Sequence, residues 1–116
     1  MSLRPKRRFP RVRVDRPALV RLVDPEPDQF PQEDFAKARV LGAGGCMVES
    51  PFPLGYGSLT DVLIALGERV VRADARVVWE AERTPGRHEV GVEFLRISRG
   101  DRAHIESIVS RGSAAA

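Results

Sequence analysis

From Val71 to Glu80 the chain alternates sides residue by residue, with Val71, Ala73, Ala75, Val77 and Trp79 on one face and Arg72, Asp74, Arg76, Val78 and Glu80 on the other. Successive side chains of a β-strand point to opposite faces, so this pattern predicts a strand with one packed face, Trp79 included, and one mostly wet face. The same period of two returns at Ala18, Val20 and Leu22 against Leu19, Arg21 and Val23, and at Val90, Val92 and Phe94. Shorter apolar segments at Phe35 to Leu41, Cys46 to Glu49 and Thr60 to Leu66 bring the total to about six strands.

Proline and glycine punctuate these segments. Pro25, Pro27 and Pro31 deny backbone donors to the stretch from Asp24 to Gln32, which reads as an exposed loop. Gly42, Gly44 and Gly45 form a turn between strands two and three, where glycine permits positive φ angles and the close approach of a ligand to the backbone. Pro51, Pro53, Gly55 and Gly57 make a further loop, Gly67 and Glu68 a tight hairpin, and Pro85 and Gly86 the last turn. The chain ends differently. Ser98 with Asp101 three residues on resembles a helix cap, and Ile105, Ile108 and Val109 share one face of a short amphipathic helix. Six short antiparallel strands plus a helix predict a mostly β fold, a six-stranded antiparallel barrel with a short C-terminal α-helix covering one end.

A chain of 116 residues has room for one domain and one core. Hydrophobic residues at 42% and charged ones at 30% are globular proportions. One cysteine, Cys46, and two histidines, His88 and His104, are too few for an internal disulfide or a four-ligand zinc cage, so no metal or other cofactor is expected. The longest apolar runs, such as Val62 to Leu66, fall far short of the ~20 residues that span a bilayer, and no signal-peptide pattern precedes them, which places the chain in the cytoplasm. No Gly-rich phosphate loop leads into a helix, and no recognisable catalytic constellation is present, so an enzyme is not expected.

Charge is distributed unevenly. Residues 1 to 16 hold Arg4, Lys6, Arg7, Arg8, Arg11, Arg13 and Arg16 against Asp15, a net of +6 where the whole chain carries +3, so the other hundred residues sum to −3. A basic arm on a mildly acidic body points to an anionic partner: a nucleotide, a nucleic acid, a membrane surface or an acidic protein.

Two elements carry a family resemblance: the run Arg7-Arg8-Phe9-Pro10-Arg11 before the first strand and the turn from Gly42 to Gly45 after the second. With the Gly91-Val92-Glu93-Phe94 run and the C-terminal helix, the chain resembles PilZ domains from about Arg7 to Val109. The resemblance implies a receptor for cyclic di-GMP, with Arg7 and Arg11 at the motif positions, Arg8 a third contact, and Val40, Gly42, Gly44 and Gly45 completing the ligand site. Arginine suits that ligand, because a guanidinium fork matches guanine O6 and N7, pairs with phosphate and stacks on a purine.

At two positions the chain departs from the family pattern. The second motif has Asp or Asn, then Ser two residues on, then Gly; aligned on Gly45, this chain has Val40 and Gly42 in the first two places. Val40 cannot accept a guanine N–H, and Gly42 has no hydroxyl. Losing one neutral and one charged hydrogen bond amounts to roughly 2 to 4.5 kcal/mol, or about 30- to 2,000-fold in affinity.

Other residues read more plainly. Cys46 is a small packing residue, Glu89, Glu93 and His88 belong to a solvated face, and Trp79 is core or rim, its indole N–H needing a partner. The expected organisation is a flexible basic arm over 1–11, the barrel with its helix over 12–112 and a disordered tail over 113–116. The resemblance favours a cyclic di-GMP adaptor whose arm folds over the ligand and alters a surface offered to a protein partner, in motility, exopolysaccharide or biofilm control. The alternative is a degenerate PilZ-like interaction module that does not bind cyclic di-GMP. Contact of the arm with nucleic acid or anionic lipid is a weaker third reading, marked by a steep dependence on salt.

Overall fold

The computed structural model describes residues 10–23 and 33–115. Among the described residues there are six strands, β1 (Arg11–Leu22), β2 (Glu33–Gly42), β3 (Gly45–Ser50), β4 (Leu59–Leu66), β5 (Arg69–Thr84) and β6 (Arg87–Ile97), followed by one helix, α1 (Arg99–Ala115). All neighbouring strands are antiparallel and close a barrel in the order β1-β2-β3-β6-β5-β4. The pairing of β1 with β4, Ala18 opposite Ile64 and Val20 opposite Val62, completes the ring. β1 begins at Arg11, seven residues ahead of the alternation that marks it in the sequence.

The alternating residues fill the interior. Ala18, Val20 and Leu22 of β1 meet Val62, Ile64 and Leu66 of β4, Val71, Ala75 and Val77 of β5 and Val90 and Val92 of β6 in one buried cluster. Ile105 and Val109 of α1 close the cluster at one end, each with 3% exposure or less. Burial of each such side chain stabilises the fold by about 1.5–3 kcal/mol, which is why the amphipathic helix stays on the barrel.

Polar contacts fix how α1 docks. The Ser98 hydroxyl accepts from the Asp101 amide at 3.1 Å, the expected cap. The Asp101 carboxylate reaches away from its own helix and accepts from Arg69 Nε at 2.9 Å and from the Arg72 amide at 3.1 Å, both on β5. His104 Nε2 lies 2.9 Å from the Leu66 carbonyl at the end of β4. At the β5–β6 hairpin, Pro85 is followed by Gly86 at φ 77°, a conformation open to glycine at little cost.

Five register shifts interrupt the strand pairing, three of them between β5 and β6, and three of the five shape the surface beside the β2–β3 turn. Ala36 and Ala38 face the core, and strict alternation would send Val40 there too. A register shift between Ala38 and Val40 inserts one residue, so that Leu41 becomes fully buried and Val40 turns outward. On β5 a shift between Val77 and Trp79 does the same. Val77 stays in the core, while Val78 and Trp79 both lie outside. The expectation that Trp79 shares the packed face of Val71 to Val77 is therefore corrected: one inserted residue reverses the parity of the residues that follow it, until the next shift between Glu82 and Thr84. The third shift lies on β1, between Arg13 and Arg16, opposite the bulge of β2.

Candidate functional site

Outside the barrel, beside the β2–β3 turn, lies a cavity of about 370 Å³. Arg11, Val40, Gly42, Gly44 and Gly45 are on its wall. The structure thus brings together five of the seven residues singled out in the sequence; Arg7 and Arg8 lie outside the described residues. The bulge on β2 gives Val40 its place there, and strand pairing gives Arg11 its own, since Arg11 is the register partner of Gly42.

The glycines act by lacking a side chain. None of Gly42, Gly44 and Gly45 has positive φ, so of the two freedoms glycine permits at this turn the fold uses close approach. A Cβ on Gly42 would stand 2.9 Å from the Pro10 carbonyl oxygen and 3.4 Å from Arg11 Cγ. Gly42 therefore lets the start of β1 approach the turn. Gly45 lies still more tightly against the Val92 carbonyl, and the Phe94 amide donates to the Gly44 carbonyl at 2.9 Å, so β6 is fastened to the turn.

The cavity is also lined by residues that the sequence reading did not assign to a site. Trp79, 38% exposed, lines the cavity with Val78, and its indole occupies the space over Gly91 that any side chain there would fill. The signal for this was the pairing of a lone tryptophan with a glycine on the neighbouring strand, but only the bulge brings the two into register. Glu93 also lines the cavity, whereas the other charges read as a solvated face do not. His88 is buried, with Nε2 3.1 Å from Glu82, because β6 turns it inward beside Ser50; Glu89 accepts from Arg83 at 2.7 Å. Cys46, 7% exposed, packs at the cavity floor, and burial pushes its thiol up to about 12.

A guanidinium, an indole, a carboxylate, apolar patches from Val40 and Met47, and backbone at a glycine turn thus share one cleft. This set can stack a flat heterocycle, pair with phosphate and read the hydrogen-bonding edge of a base. Among the described residues no group of three or more His, Cys, Asp or Glu is placed to hold a metal ion, and no helix is long and apolar enough to cross a membrane.

A closed six-stranded barrel with a capping helix, and an arginine facing a glycine turn outside it, define a class of small β-barrel domain. The sequence model of the PilZ domain matches residues 5–111, and the chain belongs to the PilZ family. Solved structures agree on the fold. The Bacillus subtilis inhibitor of motility MotI/DgrA superposes with a TM-score of 0.78 at 17% identity, over 96% of this chain and 53% of that one. The PilZ domain of YcgR from Escherichia coli, solved with cyclic di-GMP, gives 0.72 at 16% identity over 96% and 94%. The PilZ domain of CeSA from a cellulose-synthesising bacterium gives 0.60 at 16% identity over 87% and 95%. The chain spans about half the length of the MotI/DgrA chain. No curated protein sequence matches it.

Proposed function

We propose that this chain is a receptor for cyclic di-GMP that passes the state of its site to a protein partner. The observation that carries the reading is the convergence of Arg11, the Gly42–Gly45 turn and Trp79 on one cavity of about 370 Å³. Family membership supports it, as does the cyclic di-GMP in the structure of the YcgR domain. Arg11, with Arg7 and Arg8 of the arm, pairs with phosphate and the guanine O6/N7 edge. Trp79 stacks one base, and Gly42, Gly44 and Gly45 admit the ligand to the backbone. The receptor acts in the cytoplasm, and the name of MotI/DgrA, an inhibitor of motility, makes motility one natural output alongside exopolysaccharide and biofilm control.

Calorimetric titration with cyclic di-GMP tests the reading. Saturable binding that falls at least tenfold in Arg11→Ala is expected; absence of binding at millimolar ligand overturns it.

Val40 and Gly42 favour one competing reading, an interaction module that has kept the fold and lost the nucleotide. Val40 presents a hydrocarbon wall where the family motif has a hydrogen-bonding side chain. On that reading the natural chain ignores cyclic di-GMP and Val40→Asp confers binding, whereas a receptor binds before the substitution is made.

A further inference from the structure

Val40 leaves the second motif without its acceptor, yet an acidic residue supplied by another strand lines the same cavity. Glu93 of β6 has Gly45 of β3 and Arg76 of β5 as register partners. Because residue 45 is glycine, no side chain separates Glu93 from the turn. The hydrogen bond from the Phe94 amide to Gly44 holds this part of β6 in place. Glu93 is exposed, and among the described residues its carboxylate makes no hydrogen bond and no ion pair, with Arg11 and Arg76 included. Glu93 is also the one acidic residue lining the cavity among the described residues.

A bare carboxylate beside a dianionic ligand raises the ligand's energy unless it accepts hydrogen bonds from it. Guanine offers two donors on one edge, N1–H and the N2 amino group, at the spacing of the two oxygens of a carboxylate. Adenine offers a lone pair at N1 beside a single amino group. We infer that Glu93 takes over the base-reading task vacant at Val40 and makes the cavity selective for guanine over adenine, accepting from N1–H and N2–H of a base stacked on Trp79. The selectivity has a repulsive half as well as an attractive one, since the carboxylate opposes the adenine N1 lone pair. This inference rests on the receptor reading and adds to it the residue that discriminates.

The test compares cyclic di-GMP with cyclic di-AMP, which share the ribose–phosphate ring and differ in the base. The full chain and Glu93→Gln are titrated with both at one salt concentration, with thermal melting to show that the exposed substitution leaves the fold intact. The natural chain is expected to prefer cyclic di-GMP. Glutamine keeps one acceptor and turns a donor toward N1–H, so Glu93→Gln loses about 10- to 100-fold for cyclic di-GMP. The gap between the two ligands then narrows. Unchanged or tighter cyclic di-GMP binding by Glu93→Gln, with the preference retained, overturns the role of Glu93 alone. Binding of neither dinucleotide by the natural chain overturns the receptor reading and this inference with it.

Discussion

The Trp79 indole fills the space over Gly91, its register partner across β5 and β6, so that a methyl group at position 91 would overlap the ring. The contact holds the indole at the cavity wall, where it is 38% exposed.

Gly91→Ala is therefore expected to expel the ring from its seat while leaving the strand in place. Trp79 is the sole tryptophan of the chain, so its fluorescence reports the change directly, as a red shift toward the emission of a solvated indole. Base–aromatic stacking contributes about 1–3 kcal/mol per base, so cyclic di-GMP affinity should fall about 5- to 150-fold in Gly91→Ala and in Trp79→Ala. Full affinity in Trp79→Ala would remove the indole from the binding site.

The two departures from the family motif differ physically. Val40 sits on the cavity wall, half-buried, with its side chain turned outward by the bulge of β2. Val40→Asp should fold and bind cyclic di-GMP more tightly than the natural chain. Gly42 has no such freedom, because a Cβ there meets the Pro10 carbonyl at 2.9 Å. Gly42→Ser should lower stability by about 1–3 kcal/mol through this overlap and weaken binding by moving Arg11, despite restoring the family hydroxyl. Urea unfolding and calorimetry on the two single variants separate these outcomes.

Much of the barrel was legible in the sequence because its strands carry the period of two, its turns carry Pro85-Gly86 and Gly67-Glu68, and Ser98 caps the helix as its spacing with Asp101 suggests. The bulges were not legible. An extra residue leaves no mark in composition, and Val78 could pass for an ordinary outward residue of an alternating strand. That single unseen insertion is what misplaced Trp79. Half of the cavity wall thus lay beyond the sequence reading, while the half built by Arg11 and the glycine turn could be gathered from motif residues adjacent in the chain. Glu93 is exposed, as a charged residue on a strand ordinarily is, and what the sequence did not show is its place beside the cavity, which comes from its pairing with side-chain-free Gly45.

Cys46 lends itself to a measurement on the cavity floor. It is 7% exposed, and with burial pushing its thiol up to about 12, almost no thiolate exists at pH 8. An aromatic disulfide reagent at that pH should leave the folded chain unmodified for hours and react within minutes once urea unfolds it. Fast stoichiometric labelling of the native protein would show that the floor of the cavity opens far more readily than the packing around Cys46 implies.

Asp101 ties the N-terminal turn of α1 to β5, and its environment pulls in two directions. Burial, with the side chain 14% exposed, pushes the carboxyl upward; the Arg72 amide, the Arg69 guanidinium and the Ser98 hydroxyl together outweigh this and hold it below the usual carboxylate range. A carboxyl depressed in the folded state stabilises the fold above its unfolded pKa and loses that contribution as pH falls through the folded value. Asp101→Asn removes the charge and should destabilise the chain by about 1–3 kcal/mol at pH 7. The difference should hold down to pH 5 and shrink below about pH 4, where protonation deprives the natural carboxylate of the same bonds. Urea unfolding of both proteins at pH 7, 5 and 3 reads the gap directly. A gap that is the same at all three would assign the effect to packing of the side chain rather than to its charge, and would leave the barrel and helix joined mainly by Ile105 and Val109.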